Sequence, residues 1–239
     1  MSFLEHLDEL RKRIISALLA VAVGVLVGFA FIKPLGEFLQ GPTLRVLPPG
    51  SRMIYTQPGE AFSFYVQIAL ISGTVLAAPI VMYQVWLFIA PGLYANEKKL
   101  AIPFVAMSTT GFILGALFNH YIVFPWMMSF FASFNTPDLV FMPKLEDVFS
   151  LYTKMLLGMG VVFQMPTVVY FLAKMKLVTW KFLVRKFKYA ILFIFVAAAV
   201  ITPSGDMITQ TIFAAPMVAL YLLSILIAWL VRPKSESAS

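Results

Sequence analysis

No cysteine occurs among the 239 residues, so no disulfide staples a loop and no thiolate can hold a metal or redox centre. Charge is also scarce, at 12% of residues against a hydrophobic share of 61%. A soluble domain of this length cannot hide that much apolar surface, whereas a bilayer removes the need to. Only two histidines occur, His6 and His120, and no His-Glu-x-x-His, Gly-x-Ser-x-Gly or Gly-rich phosphate-loop pattern is present. These shortages argue against a metalloenzyme, a serine hydrolase and a nucleotide-driven machine, and no cofactor is expected. Binding or conduction remains. The net charge of +7 is no nucleic-acid signal, because it is sorted by membrane side rather than gathered in a patch.

What the chain does have is long apolar runs. A helix needs about 20 apolar residues to cross roughly 30 Å of hydrocarbon. Runs near 14–32, 62–90, 100–132, 148–173, 188–202 and 207–231 supply six such spans. The expected fold is an all-α polytopic membrane bundle over residues 1–232, followed by a disordered tail at 233–239. The first run is too long for the core of a cleaved leader and is read as a retained span. The fifth is short: the thirteen apolar residues Tyr189 to Ile201 make about 20 Å of helix. Such a segment must thin the bilayer or sit shielded by neighbours. Pro79, Pro125, Pro166 and Pro216 fall inside spans, where each frees a carbonyl and kinks its helix.

Lys and Arg are unevenly divided between the connecting segments. Thirteen fall on one side, in the groups Arg11 to Arg13, Lys98 and Lys99, Lys174 to Lys188, and Arg232 with Lys234. The other side has four, Lys33, Arg45, Arg52 and Lys144, with Lys154 inside the fourth span. The excess marks the cytoplasmic face, so both termini are expected there, in keeping with an even number of spans. Of the opposite segments, Lys33 to Ala61 is rich in Pro and Gly, and Asn135 to Asp147 has Pro137 and Pro143. They read as ordered loops with short helical pieces that together cap the outer face.

Two acids stand at the cytoplasmic beginnings of helices, Glu9 and Glu97. A structural role explains each: Glu9 pairs with Arg13 at i,i+4, Ser2 and Glu5 match a capping box, and Asn96-Glu97 suits a helix start. The alternative is an acidic surface for guanidinium groups, whose planar fork favours carboxylates. Gln67, Gln84, Asn119 and His120 read as satisfied packing contacts, with His120 also a candidate proton-sensitive group. Asp206 is placed as the cap of the last span. The basic run Lys181 to Lys188 reads as a topology anchor that meets anionic lipid.

Several stretches also occur together, in order, along the chain. They are His6-Leu7-Asp8-Glu9-Leu10-Arg11-Lys12-Arg13, then Tyr83 to Tyr94 with Glu97-Lys98-Lys99, then Gly115 to Phe118 with Phe124-Pro125. Gly160-Val161-Val162-Phe163-Gln164-Met165-Pro166 follows, and then Thr202-Pro203 with Asp206 and Gln210. This succession resembles the TatC family of twin-arginine translocase subunits over essentially the whole chain. The resemblance implies a concave six-span bundle that receives signal peptides bearing paired arginines and exports folded proteins across the inner membrane. It implies single-span TatA- and TatB-like partners in an oligomeric complex. By the same resemblance Glu9 and Glu97 contact the twin arginines, Arg11 and Arg13 shape that surface, and Phe88 lies in the signal-contact region. Pro42 matches a functional position of the first outer loop, and Gln164, Asp206 and Gln210 match polar positions available for partner docking. Gln164 departs from the family, which usually has glutamate there; it can hydrogen-bond between helices but carries no charge. The competing class, a small-solute or ion secondary transporter, needs internal repeats and paired half-helices, and neither is found.

Overall fold

A computed structural model describes residues 3–47, 51–89, 101–136, 138–202 and 206–231. All of its named elements are helical. The first is α1 (Phe3–Ala30), followed by α2 (Ile32–Val46), α3 (Glu60–Ile89) and α4 (Ala101–Phe118). A π-helical turn (Asn119–Val123) joins α4 to α5 (Phe124–Ala132). Next come α6 (Leu145–Val162), α7 (Met165–Lys174), the short α8 (Trp180–Arg185), α9 (Phe187–Ile201) and α10 (Met207–Leu230). Five segments are long and apolar enough to cross a membrane: α1, α3, α4 through α5, α6 through α7, and α10. The shorter apolar α9 supplies the sixth span. The chain is a multi-pass membrane protein.

Two spans are interrupted where proline requires it. Pro125 has no N–H to return to Tyr121, and the backbone widens into the π-helical turn immediately before it. Pro166 lies in the first turn of α7, and the fourth span breaks at Phe163 and Gln164 just ahead of it. Pro79 and Pro216 stay inside unbroken helices.

Small residues bring the helices together. A Cβ added to Gly24 would lie 2.5 Å from the Gly73 carbonyl oxygen, and one on Gly73 would lie 2.5 Å from the Val25 nitrogen. Backbone therefore touches backbone where α1 crosses α3, as in other membrane helix pairs built on small residues. Further along, Gly115 of α4 faces the Met159 carbonyl of α6 with no room for a methyl group. The core gathers around Tyr152, Phe149, Phe124, Met155, Met159 and Phe213, all nearly inaccessible.

The first outer segment departs from the sequence reading. It holds one fifteen-residue helix, α2, rather than short pieces, and Pro42 lies inside it. Burial of Gly36, Leu39, Pro42 and Thr43 outweighs the poor helix propensity of its glycines and proline. The expected cap is present. Ile54 bridges Lys144 by backbone hydrogen bonds, Ile54 N to Pro143 O at 3.1 Å and Leu145 N to Ile54 O at 2.8 Å. The Asn96-Glu97 helix start, Ser2 of the capping box and the tail at 233–239 lie outside the described residues.

Candidate functional site at one rim of the bundle

The beginning of α1 lies along the end of α3. Glu9 and Arg13 are four residues apart, so they share one face of α1. Arg13 Nε donates to Glu9 Oε1 at 2.7 Å, and its Nη2 approaches the same oxygen at 2.5 Å. Arg13 Nη1 reaches across to Gln84 Oε1 of α3 at 3.3 Å. Both side chains of the ion pair keep about a fifth of their surface, 20% for Glu9 and 21% for Arg13. All of these contacts fall on Oε1. Among the described residues, Glu9 Oε2 has no partner, so half of the carboxylate stays available to a further donor. Pairing at such exposure is worth at most about 1 kcal/mol, and it exchanges readily.

One turn earlier the His6 ring packs on Phe88 with centroids 4.6 Å apart. Arg11 points to solvent. Just inside this rim, Trp86 packs on Phe104 at 5.0 Å and Phe104 on Phe171 at 5.1 Å, clamping the ends of α3, α4 and α7 together. Glu97 lies outside the described residues. Of the expected signal-contact residues, Glu9, Arg13 and Phe88 are thus brought to one rim.

A cavity of about 190 Å³ opens into the bundle between α2, α3, α4 and α6. Its walls include Leu39, Ile71, Leu76, Ile113 and Leu156, and its few polar groups are Ser72, His120 and Tyr152. His120 Nδ1 and Tyr152 Oη are 2.8 Å apart, and the His120 ring stacks on Phe38 of α2 at 4.2 Å. His120 is therefore satisfied, as expected. Asn119 beside it is not: both side-chain polar atoms are buried without a partner among the described residues, and so is Gln67 Oε1. The π-helical turn points Asn119 inward, an orientation that α-helical spacing does not foretell.

The other polar residues join helices. Gln164 Nε2 donates to the Ser108 carbonyl of α4 at 3.0 Å and, more weakly, to Gly160 O at 3.4 Å. Gln210 Nε2 donates to Phe195 O at 2.7 Å, tying α10 to α9. Asp206 caps α10, accepting from Thr209 N at 2.8 Å and from the Thr209 hydroxyl at 2.6 Å. Pro42 is buried in α2. Pro42, Gln164, Asp206 and Gln210 are dispersed and do not join the rim group.

Sequence reasoning missed the buried ion pair of the outer cap. Glu60, at the start of α3, is 3% exposed. Its Oε1 accepts from Gln57 N at 3.0 Å, Thr56 N at 3.3 Å and the Thr56 hydroxyl at 3.1 Å, and meets Lys144 Nζ at 3.1 Å. The hydrogen bond to Glu60 holds the Lys144 ammonium above its ordinary pKa, against the opposing effect of burial. Glu60 and Lys144 are 84 positions apart, so no local spacing rule could have found the pair.

The family model for the Sec-independent protein translocase protein TatC matches residues 5–216. The chain belongs to the TatC family. The TatC protein of Koribacter versatilis is 40% identical over 239 residues, covering 99% of this chain and 88% of the relative. That of Helicobacter pylori strain 26695 is 41% identical over 228 residues, covering 95% and 87%. A crystal structure of the twin-arginine translocase receptor TatC superposes with a TM-score of 0.83 at 35% identity, covering 95% of this chain and 99% of that one. The six-span, all-helical architecture is that of TatC, a non-enzymatic component of protein translocation.

Proposed function

We propose that this chain is the receptor subunit of a twin-arginine translocase, binding signal peptides through an acidic rim and delivering folded cargo for export. The observation that carries the reading is the Glu9 carboxylate, whose contacts with Arg13 fall on one oxygen while the other has no partner among the described residues. A guanidinium of the incoming signal pairs with Oε2, and Glu97 takes the second. His6 and Phe88 flank the first contact with aromatic surface. Gln84 and Ile71 are thirteen residues apart on α3, about 20 Å of helix. That distance matches the apolar segment of a signal running from the rim into the cavity between α3 and α6.

The rim faces the cytoplasm of the inner membrane, both termini lie on that side, and TatA- and TatB-like single-span subunits complete the passage in an oligomeric complex. The thirteen-to-four division of basic residues between the two faces supports that orientation. Gln164 and Gln210, already holding helices together, leave their side-chain oxygens for partner helices, and Asp206 stands at the head of α10 beside them. Nothing in the geometry or the relatives favours a small-solute transporter.

The test is equilibrium binding of an Arg-Arg signal peptide and its Lys-Lys counterpart to the protein in nanodiscs, for wild type, Glu9→Ala and Glu97→Ala. Arg-Arg peptide binds tighter to wild type, and each substitution narrows the difference. Equal affinities across all combinations would falsify the receptor reading.

A further inference from the structure

Lys154 is the one Lys or Arg of this chain set well inside a described span, and its side chain is exposed. It has no acidic partner among the described residues. The nearest acids on its helix, Glu146 and Asp147, are about two turns away, and Glu146 faces Lys144 at 3.7 Å. Asp206, at the start of α10, is engaged in capping. The fourth span, Leu145–Lys174, has 30 residues and a length of about 45 Å. That exceeds the hydrocarbon layer of roughly 30 Å, so about 7 Å projects at each end. Lys154 is nine residues from Leu145, about 14 Å along the axis, and thus about 6 Å inside the hydrocarbon boundary. A lysine stem covers that distance and lifts its ammonium to the phosphate layer.

Below Lys154 runs a groove of about 640 Å³ between the fourth span and the α9–α10 pair. One of its walls is α9, which has only fifteen residues. Leu157, Val161, Val168, Phe193 and Ile201 line it, with Gln164 as its polar side chain. Its lips stand open, with Val161 at 66% and Phe193 at 72% exposure. Leu157 and Gly158, which line the groove, are three and four residues from Lys154, so Lys154 shares their helix face one turn nearer the loop. A cation at phosphate depth above an apolar channel has the layout of a phospholipid in negative.

We propose that this groove holds one phospholipid of the leaflet on the loop side, its phosphate on Lys154 and an acyl chain between α6–α7 and α9. The lipid fills the groove beside the short α9, independently of the receptor role.

The test uses the full chain in nanodiscs containing a phosphatidylglycerol with a photoreactive group midway along one acyl chain, with labelled peptides mapped by mass spectrometry. Labelling concentrates on residues 157–168 and 193–201. Lys154→Gln lowers it about fivefold, Lys154→Arg preserves it, Val161→Trp blocks it, and excess inorganic phosphate leaves it unchanged. Equal labelling of all lipid-facing helices, or labelling indifferent to Lys154→Gln, overturns the proposal. Loss of label on adding inorganic phosphate assigns Lys154 to a free ion and overturns it too. Loss only on adding a single-span partner leaves the lipid site intact in the isolated subunit.

Discussion

Each end of α3 has a carboxylate paired with a cation beside it, and the two pairs are built to opposite effect. At the rim, Glu9 and Arg13 are local neighbours on α1 and each keeps about a fifth of its surface. At the cap, Glu60 is almost wholly buried, receives three hydrogen bonds from Thr56 and Gln57, and takes Lys144 from a segment 84 positions away. An exposed i,i+4 pair contributes little to stability and can release its acid to a competitor. A buried acid whose donors come from two loops cannot give up its cation without leaving charge stranded. The rim acid is suited to exchange and the cap acid to fastening the outer loops.

Substitutions separate these roles. The largest effect is expected where the frame of the rim itself is lost. Gly73→Leu drives a side chain into the α1 backbone, which cannot retreat as a flexible side chain could, and costs on the order of 3 kcal/mol or more. Far less folded protein should survive size-exclusion chromatography in detergent, and rim binding should vanish with it. Next, Lys144→Met should lower the thermal midpoint by several degrees and expose the 51–59 segment to protease, with peptide binding at the rim retained. Glu9→Ala should do the reverse: a midpoint nearly unchanged, and affinity for an Arg-Arg peptide reduced about tenfold, read by fluorescence anisotropy. A large midpoint drop in Glu9→Ala would erase the contrast between the two sites.

Smaller effects sharpen the contrast. Gln164→Leu removes the bond to the Ser108 carbonyl and should cost about 0.6 kcal/mol, since hydrogen bonds between membrane helices average near that value. Alkaline pH offers a graded probe of the cap. The folded-state pKa of Lys144 lies above its ordinary 10.5, so its contribution is fully present below 10.5 and fades as pH rises through the folded value. Unfolding followed across that window should show an alkaline loss that Lys144→Met abolishes.

Much of this was legible beforehand. The spans follow from apolar run length, but the four prolines inside them carried one common expectation, and only Pro125 and Pro166 sit at interruptions. The Glu9–Arg13 pair follows from the helical repeat, and the Asp206 cap from the preference of Asp for helix starts. Less legible was α2, where Gly36, Gly41 and Pro42 argue against a helix that burial against α3 nevertheless stabilises. The rim was half legible: Glu9 and Phe88 were singled out, but Gln84 was taken as packing, and its contact with Arg13 depends on how α1 crosses α3.

From the sequence alone came everything that rests on local chemistry: the membrane class, the number of crossings, the sorting of charge and the acids near one end. Length, composition and i,i+4 spacing act along a single segment, so they can be read without knowing its neighbours. Only the tertiary structure decided which distant groups meet, including Glu60 with Lys144, Gln164 with Ser108, and His120 with Tyr152. Those meetings depend on crossing angles set by glycine contacts such as Gly24 on Gly73, and a one-dimensional pattern carries no term for the distance between two helices.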